Sequence, residues 1–282
     1  MLLIDLSSVV INAVQGAIVK EPLSESMVRH CALSQLLYYK KKYSKYGRPI
    51  LCVDSRHYWR KDQFEFYKQN RKKARKKSKM DWDLFFEYFA KVKQELQDYV
   101  PFYYVDVDKC EADDIIAILA MKSGEPVMIV SADKDMAQLQ TKGKNIKQYS
   151  PMTKKLITIK SLDYNIIEHI IRGDSSDGIP NIKSDNDVFM CEDKRQKSIS
   201  AVLINDALRL ERTELICENK VELDKYKRNQ ILIDVNYIPE NYKSDIRDEW
   251  NRVQLDGFKD KLKTYFVKFR MKLMFNKISE FR

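Results

Sequence analysis

Eight carboxylates in this chain stand where chemistry with a cation would place them: Asp5, Asp54, Glu111, Asp113, Asp133, Asp135, Asp174 and Asp177. The densest stretch is CEADDIIAILAMKSGEPVMIVSADKDM. There Glu111, Asp113 and Asp114 open an apolar helical run, and Asp133 and Asp135 follow a short apolar strand. Asp5 ends the apolar run that begins at Leu2, and Asp54 follows Pro49–Val53. Asp174 and Asp177 share the turn GDSSDGIP. Converging carboxylates disfavour one another's charged form unless a cation joins them. Hard divalent ions resolve this: Mg²⁺, or Mn²⁺ in its place, takes oxygen ligands, keeps several waters and commonly acts in pairs about 4 Å apart on phosphodiesters. One ion generates a hydroxide nucleophile and the other stabilises the leaving oxygen.

Each acid also has a purely structural reading. Acids in a first helical turn favour the helix dipole, which accounts for Glu111, Asp113 and Asp114. Asp5 and Asp54 can cap helices after strands, and D-x-D and D-x-x-D pairs are common in polar turns. What these readings leave unexplained is that carboxylates follow three separate apolar strands.

The elements that must position these acids alternate. Strands are expected at Leu2–Leu6, Pro49–Val53, Phe102–Val107 and Pro126–Val130, and helices at Ser24–Tyr46, Asp81–Tyr99 and from Glu111 onward. A short strand pair follows, Asn145–Tyr149 and Leu156–Ile159, then a helix at Ser161–Ile171. Strand–helix alternation implies an α/β fold with a parallel sheet, whose strands bring their carboxyl ends to one edge. Beyond about residue 185 the chain turns polar and irregular. It then reads as helices at Ser198–Leu210, Lys220–Asp234 and Asp245–Phe275. The expected organisation is an α/β domain over 1–185 and a mostly helical one over 186–282.

Arg56–Lys79 has another character. Aromatics and bases interleave, and from Lys68 to Lys79 eight of twelve residues are Lys or Arg, with no acid. Such a run repels itself. It reads either as a solvated surface helix or localisation signal, or as a flexible basic element that closes on a phosphate backbone. The net charge of +10 suits an anionic partner such as nucleic acid. The 44% apolar content supports a sizeable core. Five scattered cysteines without a C-x-x-C pair, and three histidines, argue for reduced thiols and against zinc. No signal peptide, membrane span or phosphate-cradling glycine loop is recognisable.

The motifs LLIDLS, LCVDS, YKQNR, CEADD, SADKD and GDSSDGIP occur in an order and spacing that resembles the flap-endonuclease-like 5′ nucleases. That family includes the 5′-exonuclease domains of bacterial DNA polymerase I. Within it the likeness is to the RNase H members of T-even bacteriophages, and it runs nearly the full length. The resemblance implies a PIN-like nuclease domain with a helical arch at about 56–80, followed by a helical domain that contacts duplex DNA. It implies one metal ion held by Asp5, Asp54, Asp113 and Asp133, and a second surrounded by Glu111, Asp135, Asp174 and Asp177, with Asp114 in support. Lys68 and Arg71 match arch residues that contact the scissile phosphate. Tyr67, Lys72, Lys73 and Arg75 would bind nucleic acid, as would Lys183. The glycine-rich hairpin that many members place after G-D-x-x-D is replaced here by Asn181–Asp187, which argues against a potassium site.

The expectation is therefore a Mg²⁺-dependent 5′ nuclease that acts on 5′ flaps, nicked duplex DNA and RNA–DNA hybrids and removes primers in lagging-strand replication. It would be monomeric and cytoplasmic (in the host cytoplasm if viral), with single-strand-binding protein and sliding clamp as candidate partners. The competing readings are a PIN-type ribonuclease and a non-catalytic structure-specific DNA-binding protein.

Overall fold

Short apolar runs with few turn residues become buried strands, and the polar, capped stretches between them become helices. The computed structural model describes residues 1–140, 145–158, 162–210 and 212–282. In chain order the elements begin β1 (Leu2–Asp5), α1 (Leu6–Ala17), α2 (Glu25–Lys42), β2 (Pro49–Val53), α3 (Trp59–Gln63), α4 (Arg71–Lys76) and α5 (Trp82–Tyr99). They continue with β3 (Tyr103–Asp106), α6 (Ala112–Lys122), β4 (Val127–Val130), β5 (Ile146–Ser150), β6 (Lys155–Ile157) and α7 (Leu162–Arg172). They close with α8 (Ala201–Ala207), α9 (Lys220–Ile233), α10 (Glu240–Asp256), α11 (Leu262–Lys268), α12 (Lys272–Phe275) and α13 (Ile278–Phe281). Residues 159 and 161, where two of the expected elements end and begin, lie outside the described residues.

The chain forms two compact units. The first comprises Met1–Arg56, Lys79–Thr158 and Asn241–Arg282, and the second His57–Ser78 and Ile159–Glu240. These units differ from a single cut at residue 185. The basic segment after Arg56 goes with the second unit, and the last forty or so residues go with the first.

In the first unit the described strands lie in the order β3-β2-β1-β4-β5-β6. β1 to β5 pair in parallel and β6 returns antiparallel to β5. The register places Asp5 opposite Cys52 and Ile4 opposite Val130, so β1, β2 and β4 end along one line. Strand alternation sorts the core. Leu2, Ile4, Leu51, Val53, Met128 and Val130 join α1, α2 and α5 in one apolar cluster, while α6 packs against β1 and β2. α5 is capped by Asp81, which accepts from the Leu84 N–H at 3.0 Å. It buries Phe85, Phe89, Val92 and Leu96, each stabilising the fold by roughly 2 kcal/mol.

Two features differ from the sequence expectation. The stretch after β1 is helix α1, because Asp5 accepts from the Ser8 N–H at 2.9 Å and starts a helix that β-branched residues alone would not suggest. The carboxyl-terminal helices also enter the core of the sheet unit. Leu262, Tyr265, Phe266, Met274 and Phe281 are buried there, Tyr265 stacks on Tyr99 at 5.1 Å, and Phe281 lies 6.1 Å from Phe102. Buried Arg29 donates to both oxygens of Glu95 at 2.7 and 2.8 Å, and Glu95 also accepts from the Tyr265 hydroxyl at 2.7 Å.

The second unit has its own core, built from Phe64, Ile170, Ile171, Ile182, Tyr226, Leu232 and neighbours. Fully buried Asn229 donates to the carbonyls of Ile170 and Pro180 at 2.9 and 2.8 Å, tying α9 to the end of α7. The expected irregular stretch 185–197 is pinned by Asn181. Its side chain accepts from the N–H groups of Lys183 and Ser184 and donates to the Lys197 carbonyl at 2.7 Å. The basic run forms the short helix α4, which buries no residue.

Candidate functional site

At the carboxyl edge of the sheet, Asp5 and Asp133 are fixed by the helical turns they begin. Asp5, only 7% exposed, accepts from the Ser8 N–H through one oxygen and from the Ser131 hydroxyl at 2.8 Å through the other. Ser131 in turn accepts from the Asp133 N–H at 3.1 Å. Asp133 caps the 3₁₀ turn Lys134–Leu139 and accepts from the Asp135 N–H at 2.8 Å. Gln148 on β5 donates to the carbonyls of Ser131 and Asp133 at 3.1 and 2.5 Å and holds this turn against the sheet.

The amino end of α6 meets the same edge. Asp54 accepts from the Ala112 N–H at 3.0 Å. Asp114 accepts from the Glu111 N–H at 3.0 Å, and the two residues form a reciprocal capping box. Glu111 and Asp114 are both buried. Cys52, in register with Asp5, is fully buried: burial first, then the charges of Asp5, Asp113 and Asp54, push its thiol well above the usual range. Asp106 at the end of β3 is also raised, mainly by burial, with Asp54, Glu249 and Asp108 adding to the rise and Lys93 opposing it. A carboxylate has about four acceptor positions, and a single N–H occupies one of them. Capping a helix therefore leaves such an acid able to take a further partner.

In the second unit Asp174 and Asp177 sit on a turn that only glycine permits. Gly173 has φ +69, and a Cβ there would lie 2.3 Å from the Ile179 carbonyl oxygen. Gly178 has φ +72 and a Cβ would meet Phe66 O at 3.0 Å. Asp174 accepts from the Ser176 N–H and hydroxyl, both at 2.7 Å, and lies 3.1 Å from His169 Nε2. Asp177 is answered from the basic segment. Arg71 pairs with its Oδ1, while Lys68 Nζ and the Tyr67 hydroxyl approach Oδ2 at 3.4 and 3.1 Å. The backbone joins in: Lys68, itself at φ +58, donates its N–H to the Asp177 carbonyl at 2.7 Å. Asn70 donates to Ser175 O at 2.5 Å.

The structure thus gathers Asp5, Asp54, Asp113 and Asp133 with Glu111 and Asp135 along one sheet edge, and sets Asp174 and Asp177 beside Tyr67, Lys68 and Arg71. Lys72 and Lys73 are exposed on α4, where Lys73 donates to Met190 O at 2.7 Å, and Arg75 is half-buried. Lys183 is drawn to Glu218 at 2.9 Å and Lys194 to Asp187 at 2.8 Å, whereas Arg195 and Lys197 are exposed. Sequence reasoning did not single out Ser8, Ser131 or Gln148, which fix the sheet-edge acids, nor His169 as a partner of Asp174. A serine directly after a buried strand and before D-x-D was the available signal for Ser131. For His169 it was a position one helical turn before the Gly173 turn.

This arrangement has counterparts in known proteins. The family described as 5′-3′ exonuclease, N-terminal resolvase-like domain, matches residues 1–167, and that described as T4 RNase H, C terminal, matches residues 160–281. Ribonuclease H of Enterobacteria phage T4 is 36% identical over 273 residues, covering 93% of this chain and 89% of that protein. A 5′-3′ exonuclease of Buchnera aphidicola is 31% identical over half of each chain. Among solved structures, the flap endonuclease of bacteriophage T5 in a pseudo-enzyme-product complex with DNA and metal ions superposes with a TM-score of 0.66. It is 16% identical, covering 90% of this chain and 97% of that one. The T5 5′-exonuclease with bound zinc gives 0.60 at 17% identity, over 91% of this chain and 97% of that one. Two family matches that run from the first strand to the last helix, joined by a phage relative along nearly the whole length, carry one conclusion: the chain belongs to the 5′-3′ exonuclease family, in its phage RNase H branch.

Proposed function

We propose that this protein is a divalent-metal-dependent 5′ nuclease that hydrolyses phosphodiesters at the 5′ ends of flaps, nicked duplexes and RNA–DNA hybrids. The observation that carries this reading is the sheet edge: Asp5 lies in register with Cys52, just before Asp54, Asp54 accepts from the Ala112 N–H next to Asp113, and Ser131 links Asp5 to Asp133. The donor set there is oxygen, which fits Mg²⁺ or Mn²⁺ better than an ion that prefers nitrogen or sulfur.

In this proposal Asp5, Asp54, Asp113 and Asp133 hold one ion, and Glu111 and Asp135 act on a second. Asp174 and Asp177 serve the second ion too, a role supported by the family resemblance. When bound, the ions supply a hydroxide from water and stabilise charge on the leaving oxygen. Hydrolysis would join a water oxygen to phosphorus and break the P–O bond opposite, with that water's proton ending on the leaving oxygen. Lys68 and Arg71 offset the charge that grows on the phosphoryl oxygens. Tyr67, Lys72, Lys73, Arg75 and Lys183 bind the nucleic acid, with the phosphate contacts made by the bases.

Among the described residues no helix is long and apolar enough to cross a membrane. Work in the cytoplasm as a monomer, removing RNA primers alongside a single-strand-binding protein and a sliding clamp, rests on the family resemblance. The test is a 5′-labelled flap and an RNA-primed duplex, each with Mg²⁺ and with chelator. Short 5′ products that need the metal support the proposal, and their absence overturns it. Single-stranded RNA cut without regard to its 5′ end would point to a PIN-type ribonuclease instead.

A further inference from the structure

The last turn of α2 carries Lys40, Lys41 and Lys42, which suit the carboxyl end of a helix dipole; Lys40 and Lys41 bond to Glu280, whereas Lys42 is directed elsewhere. Lys42 and Lys45 come together with Lys147 of β5 and Lys154 of the β5–β6 turn around one cleft of the sheet unit, of about 420 Å³. No acidic residue lines it. Among the described residues, Lys45, Lys147 and Lys154 have no carboxylate within ion-pair distance, although acids and bases are paired over much of the remaining surface. Lys42 is held in place: its ammonium lies 3.8 Å from the centre of the Tyr149 ring and donates to the Tyr38 hydroxyl at 3.1 Å.

The walls say what kind of anion fits. Tyr43, Tyr46 and Tyr149 line the cleft but are only 8, 7 and 5% exposed, so they offer no free face on which an unpaired base could stack. What remains is a set of fixed and flexible ammonium groups, which recognise phosphate charge without reading sequence. A strand whose bases are turned inward presents only that. We propose that this cleft binds the phosphate backbone of duplex nucleic acid, as a second contact surface separate from the basic segment at 68–79. The inference rests on the family's nucleic-acid chemistry and not on the metal assignments.

The experiment uses the full chain carrying Lys45→Ala, Lys147→Thr and Lys154→Asn. Thr suits an exposed strand position, and Asn tolerates the φ of +56 at residue 154. The control carries Lys20→Ala, Lys122→Ala and Lys277→Ala, three exposed lysines elsewhere on the same unit. Affinity for a blunt duplex and for a single strand of equal length is measured in chelator across a salt series, so that failure to cleave and failure to bind are separate results. Three lost phosphate contacts should make the duplex slope of log K against log salt shallower by about 2.7, with about a ten-fold or greater loss of affinity at low salt. The single strand should change less, and the control triple should leave the duplex slope nearly intact. An unchanged duplex slope in the cleft variant, or an equal change in the control, overturns the proposal. So does a larger loss for the single strand. A duplex slope kept while binding of a polyglutamate probe is lost would assign the cleft to an acidic protein and overturn it as well.

Discussion

The sheet edge of the first unit and the glycine turn of the second carry acids of the same type but hold them by different means. At the sheet edge the restraints are uncharged donors, backbone N–H groups and the Ser131 hydroxyl, some of them distant in the chain. Asp5 caps the helix that follows it, Asp133 caps its own turn, and Asp54 accepts from the first N–H of α6. On the glycine turn, Asp177 is met by Arg71, Lys68 and Tyr67 from a segment more than a hundred residues earlier. Backbone caps depend little on salt, while an ion pair with a partly exposed Arg71 is screened by it. The first cluster is therefore built into the secondary structure, and the second depends on where the basic segment lies.

Charge removal with the cap retained breaks the comparison most sharply. Asp133→Asn keeps a good N-cap residue but loses the charge. Cleavage should fall by about 10³-fold or more, several kcal/mol of lost charge stabilisation, while the melting temperature stays near that of the parent. Single-turnover rates beside thermal melts check this, and a large drop in melting temperature would mean that the residue is mainly structural. Asp135→Ala and Asp177→Ala should likewise abolish turnover while DNA binding persists, and a near-parental rate for either would remove that residue from the site.

Glu95→Ala addresses the scaffold under the sheet edge. Removing Glu95 takes away both of its bonds to buried Arg29 and leaves the guanidinium only its pair with half-buried Glu25 at 2.5 Å, which should cost about 3 kcal/mol in a denaturant titration. A smaller effect follows at the second cluster. Arg71→Ala should lower kcat about 10²-fold and reduce the salt dependence of DNA binding by about one contact. Were kcat unchanged, Arg71 would serve only to position Asp177. The mildest change is Ser131→Ala, which removes the hydroxyl between Asp5 and Asp133. It should cost about 1 kcal/mol of stability and reduce cleavage by less than ten-fold, and calorimetry with steady-state rates measures both.

The local part of this architecture was legible in the sequence. Pro49–Val53 is a strand as expected, the Asp81–Tyr99 stretch is helical, and CEADD opens a helix, because hydrophobic period and caps act over a few residues. α1 was not legible: Val9, Val10 and Ile11 mask a helix whose start depends on the Asp5 cap. Nor was the placement of the last helices, which rests on pairs such as Lys40 with the Glu280 carbonyl and Glu95 with Tyr265, far apart in the chain. Among the candidate residues, the acids stood out by type and position. Ser131 and His169 did not, because a serine or histidine acquires its meaning only from the carboxylate placed beside it.

The helix caps at the sheet edge bear on how the protein would be handled. In domains whose metal ligands have no other structural duty, stripping the ion unfolds the chain. Here Asp5, Asp54 and Asp133 are already committed to backbone N–H groups that need no ion. Dialysis against chelator should thus give a dormant but fully folded protein. Returning Mg²⁺ should restore it within the time of mixing, with no refolding step.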